Sequence, residues 1–167
     1  MITHFSRVFS GAAAIALFIA VPVRAQDSGI EIGTKAPPVT LANTAGTVVS
    51  LANVIGKRPV LLEFWATWCE NCKALEPRMM AAYKKYGEQV AFYGIAVSIN
   101  QTLARVQQYV KKYNYPYPML WDVKGDVGAA YDVPATSYVV VIDKSGKVVY
   151  TGAGGTQDLD AAIRKAM

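Results

Sequence analysis

The sequence predicts an α/β fold in which a mixed sheet is flanked by helices. Strand-type and helix-type patterns alternate along the chain, two of the strands are almost entirely apolar, and the chain ends with a hairpin followed by a helix. The 167 residues are 53% hydrophobic and 17% charged. This composition is typical of one globular domain with a sizeable core.

The N-terminus has the pattern of a secretory signal peptide. Arg7 supplies the positive charge, residues 8–21 form an apolar run, and a small-residue cleavage site ends at Ala25. The run is shorter than the roughly 20 residues that a membrane-spanning helix needs. We therefore predict an exported, periplasmic protein, with an uncleaved membrane anchor as the alternative.

The predicted domain organisation is a signal peptide at 1–25, a linker at 26–35 and one domain at 36–167. The net charge of +5 is mild, and its short lysine and arginine pairs do not indicate nucleic-acid binding. The single histidine, His4, lies in the signal peptide. Its position excludes histidine-ligated metal sites and Cys–His or Ser–His nucleophile pairs from the predicted domain.

The predicted elements follow from hydrophobic periodicity and turn residues. Residues 47–51 alternate with period two, which indicates a hairpin strand, and 60–65 form an apolar run typical of a strand covered on both faces. Apolar residues spaced by three and four indicate a helix that contains Pro77. In chain order we predict strands at 39–41, 47–51 and 60–65, a helix at 71–86, a strand at 90–97, a helix at 101–113 capped by Asn100, a strand at 119–121, a short helix at 127–131, a hairpin of 138–142 and 147–151, and a last helix capped by Thr156.

The only two cysteines, Cys69 and Cys72, lie where the 60–65 strand runs into the first long helix. A helix N-terminus stabilises a thiolate through unpaired N–H groups and the helix dipole, and can lower a thiol pKa from ~8.5 to roughly 3.5–7.5. We therefore predict that Cys69 is the nucleophile and that Cys72, more buried, resolves the mixed disulfide. Glu70 and Asn71 lie between them, and the Glu70 carboxylate should oppose thiolate formation and make the couple more reducing.

Glu63 is an acid inside an otherwise apolar strand. Burial should raise its pKa, and a buried carboxylate near the resolving thiol could accept that thiol's proton. The alternative is a glutamate that faces solvent at the end of the strand. The aromatic segment 115–118 similarly has two interpretations, a groove lining or, as we favour, packing against the edge of the core.

Three other interpretations compete with a redox pair. An inert disulfide across one helical turn would stabilise the fold little. Structural zinc needs four ligands and so would require a dimer. A Cu(I) site on Cys69 and Cys72, with Met79 or Met80, stays open as a metal-delivery function. A peroxidase is disfavoured because the Pro-x-x-x-Thr-x-x-Cys pattern is absent around Cys69.

The segment from Phe64 to Lys73, which reads FWATWCENCK, resembles the thioredoxin superfamily and, within it, the TlpA/ResA-like thiol–disulfide oxidoreductases. The resemblance covers roughly residues 30–167, and thioredoxins also have an acid at the position of Glu63. It implies a thioredoxin fold with an N-terminal β-hairpin and one inserted helix near 101–113. It further implies a monomeric or weakly associating periplasmic reductase without a diffusible cofactor.

The resemblance also implies the partners of such a reductase. Its substrates would be disulfides of exported proteins, such as apocytochrome c or metallochaperone cysteines. Its electrons would come from a membrane thiol transporter of the DsbD/CcdA type.

Two positions depart from the family pattern. Asn71 stands where proline is common, which should loosen the turn. The family also has a cis-proline facing the sulfurs, and an ungapped alignment puts Ser137 there, with Pro134 three residues early. We favour Ser137 at that position; the alternative is a shifted loop that presents Pro134 there. The substrate groove would then be formed by Ser137, Thr136, Pro134 and Trp68. We expect a trans peptide at Ser137, because a non-prolyl cis bond costs ~2.5–4 kcal/mol.

Overall fold

The computed structural model describes residues 29–167, so the predicted signal peptide lies outside the described residues. Seven strands form one sheet: β1 (Thr40–Asn43), β2 (Val48–Ser50), β3 (Val60–Trp65), β4 (Ala91–Val97), β5 (Met119–Asp122), β6 (Tyr138–Ile142) and β7 (Val148–Ala153). The α-helices are α1 (Glu70–Tyr86), α2 (Leu103–Tyr113), α3 (Asp126–Ala130) and α4 (Leu159–Arg164), and a short 3-10 helix covers Leu51–Asn53. None of the helices in this part of the chain is both long and apolar enough to cross a bilayer.

The strand order is β2-β1-β5-β4-β3-β6-β7, which confirms the predicted mixed sheet. Strand β3 pairs in parallel with β4 and antiparallel with β6, and β4 pairs in parallel with β5. The N-terminal hairpin of β1 and β2 extends the sheet through an antiparallel pairing with β5. All six residues of β3 are buried, because this strand lies inside the sheet and is covered on both faces. The loop of residues 66–69, here called the cysteine loop, therefore begins at the end of a buried strand.

Helix α1 carries the second cysteine on its buried face. The buried residues recur every three or four positions: Cys72, Leu75, Met79, Ala82 and Tyr86. This stripe packs on the core, and the helix continues through Pro77 to its predicted end.

Two predicted helix caps are wrong. Asn100 has a φ of 52°, in the left-handed region, so it does not have the extended backbone of an N-cap. Thr102 caps α2 instead, because its hydroxyl accepts a hydrogen bond from the Arg105 N–H at 3.3 Å. Helix α4 is capped by Asp158 rather than Thr156, with the Asp158 carboxylate accepting an N–H in the first turn at 2.9 Å.

The described part of the predicted linker, residues 29–35, is hydrogen-bonded to the domain. The Ile30 N–H donates to the Tyr131 carbonyl at 3.1 Å, and the Gly33 N–H donates to the Val148 carbonyl at 2.8 Å. The Val148 N–H in turn donates to the Thr34 carbonyl at 2.9 Å. This segment therefore packs along the β7 side of the sheet.

Candidate active site

The two cysteines lie at the junction of the cysteine loop and α1 and form a disulfide. Their Sγ atoms are bonded at 2.14 Å, and their Cα atoms are 5.3 Å apart. Cys69 is the N-cap residue of α1, and its Sγ accepts a hydrogen bond from the Cys72 N–H at 3.0 Å. The Cys69 sulfur therefore lies at the N-terminus of α1, as predicted. In the reduced protein this N–H and the helix dipole would stabilise a Cys69 thiolate.

The burial of the two cysteines differs from the prediction. Cys69 is 4% exposed and Cys72 is 6% exposed, so Cys72 is not the more buried of the pair. Both residues lie in the hydrophobic core cluster, because the loop folds the start of α1 against the end of β3. What distinguishes them is the helix cap: within residues 29–167, the Cys69 sulfur accepts a backbone N–H and the Cys72 sulfur does not.

Glu70 does not present a free carboxylate to the sulfurs. Its carboxylate lies 2.6 Å from the Lys73 ammonium, and the Glu70 side chain is 83% exposed. A neighbouring cation and solvent both weaken the field of a surface carboxylate. The electrostatic argument for a reducing potential is therefore weaker than the sequence suggested. Asn71, the other residue between the cysteines, is exposed.

Glu63 is buried within β3, which excludes the solvent-facing alternative. It is 5% exposed, and its neighbours across the sheet are Gly94 on β4 and Val139 on β6. Burial, and secondly the negative charge of Glu76, raise the pKa of Glu63 from 4.5 to about 8. A carboxyl group with this pKa exchanges a proton near neutral pH, as a general acid or base requires.

A small cavity connects Glu63 with the second cysteine. It has a volume of 10 Å³, about the space of one water molecule. Its lining comes from β3, β5, α1, α2 and the aromatic segment: Glu63, Trp65, Cys72, Glu76, Tyr109, Tyr115, Tyr117 and Met119. The two tyrosines of segment 115–118 therefore pack against the core, as favoured, and also line this cavity. A cavity of this size has room for about one water, and Glu63 and Cys72 both line it.

Glu76 is a candidate site residue that the sequence analysis missed. It lies one helical turn after Cys72, at the i, i+4 spacing that puts two side chains on the same face of a helix. Glu76 is half-buried and lines the same cavity as Glu63. The spacing was available in the sequence, but only the sheet position of Glu63 brings the two carboxyl groups to one cavity.

The loop before Cys69 is fixed by Gln101, a second residue that the sequence analysis missed. The Gln101 side-chain oxygen accepts hydrogen bonds from both the N–H and the hydroxyl of Thr67, each at 2.9 Å. Its amide nitrogen donates to the Val97 carbonyl at the end of β4. The Trp68 indole N–H donates to the Ile99 carbonyl at 2.8 Å. The segment after β4 thus holds the cysteine loop in place.

Ser137 is fully buried and has a φ of 64°, and no peptide bond in residues 29–167 is cis. Its N–H donates to the Phe64 carbonyl at 2.8 Å, and its hydroxyl donates to the Gly154 carbonyl at 3.1 Å. Its own carbonyl accepts from the Gln157 side-chain amide at 3.0 Å. Serine has an N–H and a hydroxyl that a proline at this position would lack, and both are hydrogen-bonded within the domain.

The other predicted groove residues differ in accessibility. Pro134 is exposed, Thr136 is half-buried, and Trp68 is 38% exposed beside Cys69. The roles of these residues and of Ser137 in substrate binding stay predictions.

No group of three or more histidine, cysteine, aspartate or glutamate side chains in residues 29–167 is arranged to hold a metal ion. Of the two methionines considered as copper ligands, Met79 is completely buried in the core and Met80 is exposed. A copper site would therefore depend on the two cysteine thiolates, which are joined to each other here.

Comparison with known proteins agrees with the fold and with the cysteine pair. The model of the AhpC/TSA family matches residues 32–151. The thiol–disulfide oxidoreductase ResA of Bacillus subtilis is 34% identical over 132 residues, which are 79% of this chain and 73% of ResA.

Two solved structures show the same architecture. A putative thiol:disulfide interchange protein DsbE from Chlorobium tepidum has a TM-score of 0.73 at 25% identity, and the match covers 82% of this chain and 98% of that one. The pneumococcal exposed lipoprotein thioredoxin Etrx1 of Streptococcus pneumoniae has a TM-score of 0.65 at 28% identity, with 77% and 96% covered. These matches confirm the predicted thioredoxin fold and the resemblance on which it depended.

Proposed function

The chain belongs to the AhpC/TSA family and is a thiol–disulfide oxidoreductase, and we propose that it acts as a reductase of disulfides in exported proteins. The observation that carries this proposal is the Cys69–Cys72 pair at the N-terminus of α1, with its second sulfur beside a cavity that contains a buried carboxyl group. A structural disulfide would need neither the helix cap nor the acid.

The reaction begins with the reduced protein. The Cys69 thiolate attacks one sulfur of a substrate disulfide, forms a mixed disulfide and releases the first substrate thiolate. Cys72 then loses its proton to the ionised fraction of Glu63, which a pKa of about 8 leaves available near neutral pH, and attacks the Cys69 sulfur. The second substrate thiolate leaves. The two substrate thiolates take up one proton from solvent and the one that Glu63 gives back to solvent, so both substrate sulfurs end as thiols. Two electrons pass to the substrate, and the protein ends in the oxidised form that the structure has.

The proposed location is the periplasm, with the predicted signal peptide at residues 1–25 as the address. Similarity to an exposed lipoprotein thioredoxin and to a thiol:disulfide interchange protein supports an extracytoplasmic site. In such an oxidising compartment a reductase needs a dedicated electron donor. We propose a membrane thiol transporter of the DsbD/CcdA type as donor and disulfides of apocytochrome c or metallochaperones as substrates.

Trapping tests the reaction. In a Cys72→Ser variant the first step proceeds and the second cannot, so substrates should accumulate as mixed disulfides that a reducing agent releases. The Cys69→Ser variant is the matched control and should trap none. Recovery of no adduct with Cys72→Ser from a periplasmic extract would contradict the proposal.

The direction of electron flow is tested by thiol trapping in cells. A reductase should hold Cys69 and Cys72 mainly reduced, and loss of the donor should shift the pair to the disulfide. A pair that stays oxidised in cells with an intact donor would refute a reductase role. Copper analysis of anaerobically purified protein would identify the alternative metal-delivery function.

A further inference from the structure

A second depression lies on the surface beside the cysteine motif. It is an open groove of 350 Å³ between the start of α1 and the exposed side of α2. Thr67 and Lys73 line it from the motif side, and Arg105, Lys112 and Tyr113 line it from α2. Since Thr67 and Lys73 lie on either side of the cysteine pair in the chain, a protein engaged at Cys69 would extend into or past this groove.

The groove is positively charged. Three of its lining side chains are cations, and none is an acid. The Lys73 charge is offset by Glu70, but neither Arg105 nor Lys112 forms an ion pair with any residue of the described chain. Two uncompensated cations on one wall attract anionic groups and repel basic ones.

The floor of the groove is aromatic and firmly packed. Tyr109 lies between Trp65 and Tyr113, with ring centroids 5.5 Å and 4.5 Å away, and Tyr113 is half open to solvent. The Lys112 ammonium lies 5.1 Å from the centre of the Tyr113 ring. Tyr109 also lines the cavity of Glu63 and Cys72, so the groove and that cavity share one lining side chain.

We infer that this groove binds an acidic segment of the substrate protein, a few residues from the disulfide that Cys69 attacks. Carboxylates of the segment would pair with Arg105 and Lys112, and its apolar side chains would contact Tyr113. The inference depends on the proposed reductase function and adds a substrate preference to it. The charge of the groove and its lining by Thr67 and Lys73, which flank the cysteine pair in the chain, carry the argument.

Two synthetic peptides test the preference. Each has one intrapeptide disulfide, and they differ only in three flanking positions, which are aspartate or glutamate in one and asparagine or glutamine in the other. We expect the reduced protein to reduce the acidic peptide about tenfold faster at low ionic strength, and the difference to shrink as salt screens the charges.

Matched variants separate the groove from net charge. Arg105→Glu combined with Lys112→Glu should abolish or reverse the preference. Lys111→Glu combined with Lys124→Glu changes the net charge equally at exposed positions outside the groove, and should keep most of it. The rate with the neutral peptide should be the same in the Lys111→Glu, Lys124→Glu variant as in the wild type, and the reduction potential against glutathione should be the same in all three proteins.

The outcomes distinguish this inference from the proposed function. One contrary result is that the wild-type protein reduces both peptides equally fast, and another is that both double variants lose the preference equally. Either result would overturn the inferred binding of acidic segments in the groove and leave the proposed reductase function unaffected. Failure to reduce either peptide would count against the reductase function itself. Binding to anionic lipid vesicles that is lost in the Arg105→Glu, Lys112→Glu variant, without any preference between the peptides, would assign the groove to a membrane surface. That result would also overturn the inference.

Discussion

Replacement of Glu63 by glutamine should make the stability of the oxidised protein less dependent on pH. The Glu63 carboxyl group has a pKa of about 8 in the folded protein, so it keeps its proton up to about that pH. In the unfolded chain its pKa is 4.5, so it loses the proton at a much lower pH. Between these values the folded state binds more protons, so the free energy of unfolding falls as the pH rises. Glutamine at position 63 is neutral at every pH, so the free energy of unfolding of the Glu63→Gln protein lacks this loss.

The magnitude follows from the two pKa values. At about 1.4 kcal/mol for each pH unit between them, Glu63 costs about 3 kcal/mol at about pH 7 and up to about 5 kcal/mol above about pH 9. The Glu63→Gln protein should therefore gain stability over the wild type by these amounts, relative to their difference at about pH 4.

Urea unfolding of the oxidised proteins at several pH values measures this difference. Glu88→Gln removes an exposed carboxylate from the surface and serves as the control. The physical account of Glu63 would fail if the stability difference between Glu63→Gln and the wild type were constant from about pH 4 to about pH 9. It would also fail if the difference grew in the opposite direction.

Glu76→Gln tests the second cause of the same pKa. Removal of the Glu76 charge should lower the pKa of Glu63, but not to its ordinary value, because burial is the larger cause. Carbon NMR titration of the Glu63 carboxyl group would show this. An unchanged pKa would mean that the two carboxyl groups do not interact across the cavity.

Three substitutions test how the site is supported. Gln101→Leu removes the bonds that hold the cysteine loop and should cost about 2 kcal/mol in urea unfolding, with slower reduction of a disulfide peptide. Ser137→Pro should cost about 3 kcal/mol or more, because proline lacks the N–H that is bonded here and its φ is incompatible with 64°; unchanged stability would mean that the loop adapts freely. Gly94→Ala would place a Cβ too close to the sulfur of Met119, a residue that lines the Glu63 cavity, and should cost about 1–3 kcal/mol in thermal unfolding.

Local pattern was sufficient for much of the fold. Strands β3 and β6 have the predicted bounds, because each is a short, almost entirely apolar run between turn residues, as expected of a buried strand. The end of β3 and the start of α1 fixed the place of the cysteines, so the helix-capped sulfur could be predicted. The caps of α2 and α4 could not, since Asn100, Thr102, Thr156 and Asp158 are all residues that cap helices in isolation.

The sequence by itself determined the redox pair, its place at a helix N-terminus and the presence of an acid in the neighbouring strand. Only the tertiary structure decided what surrounds that acid. Glu76 and the tyrosines reach its cavity from other elements, and no spacing along the chain encodes that meeting. The same holds for Lys111 and Lys112, which are equivalent in sequence although only Lys112 lines the groove. Periodicity selects the face of an element, whereas the packing of elements against one another decides which faces meet.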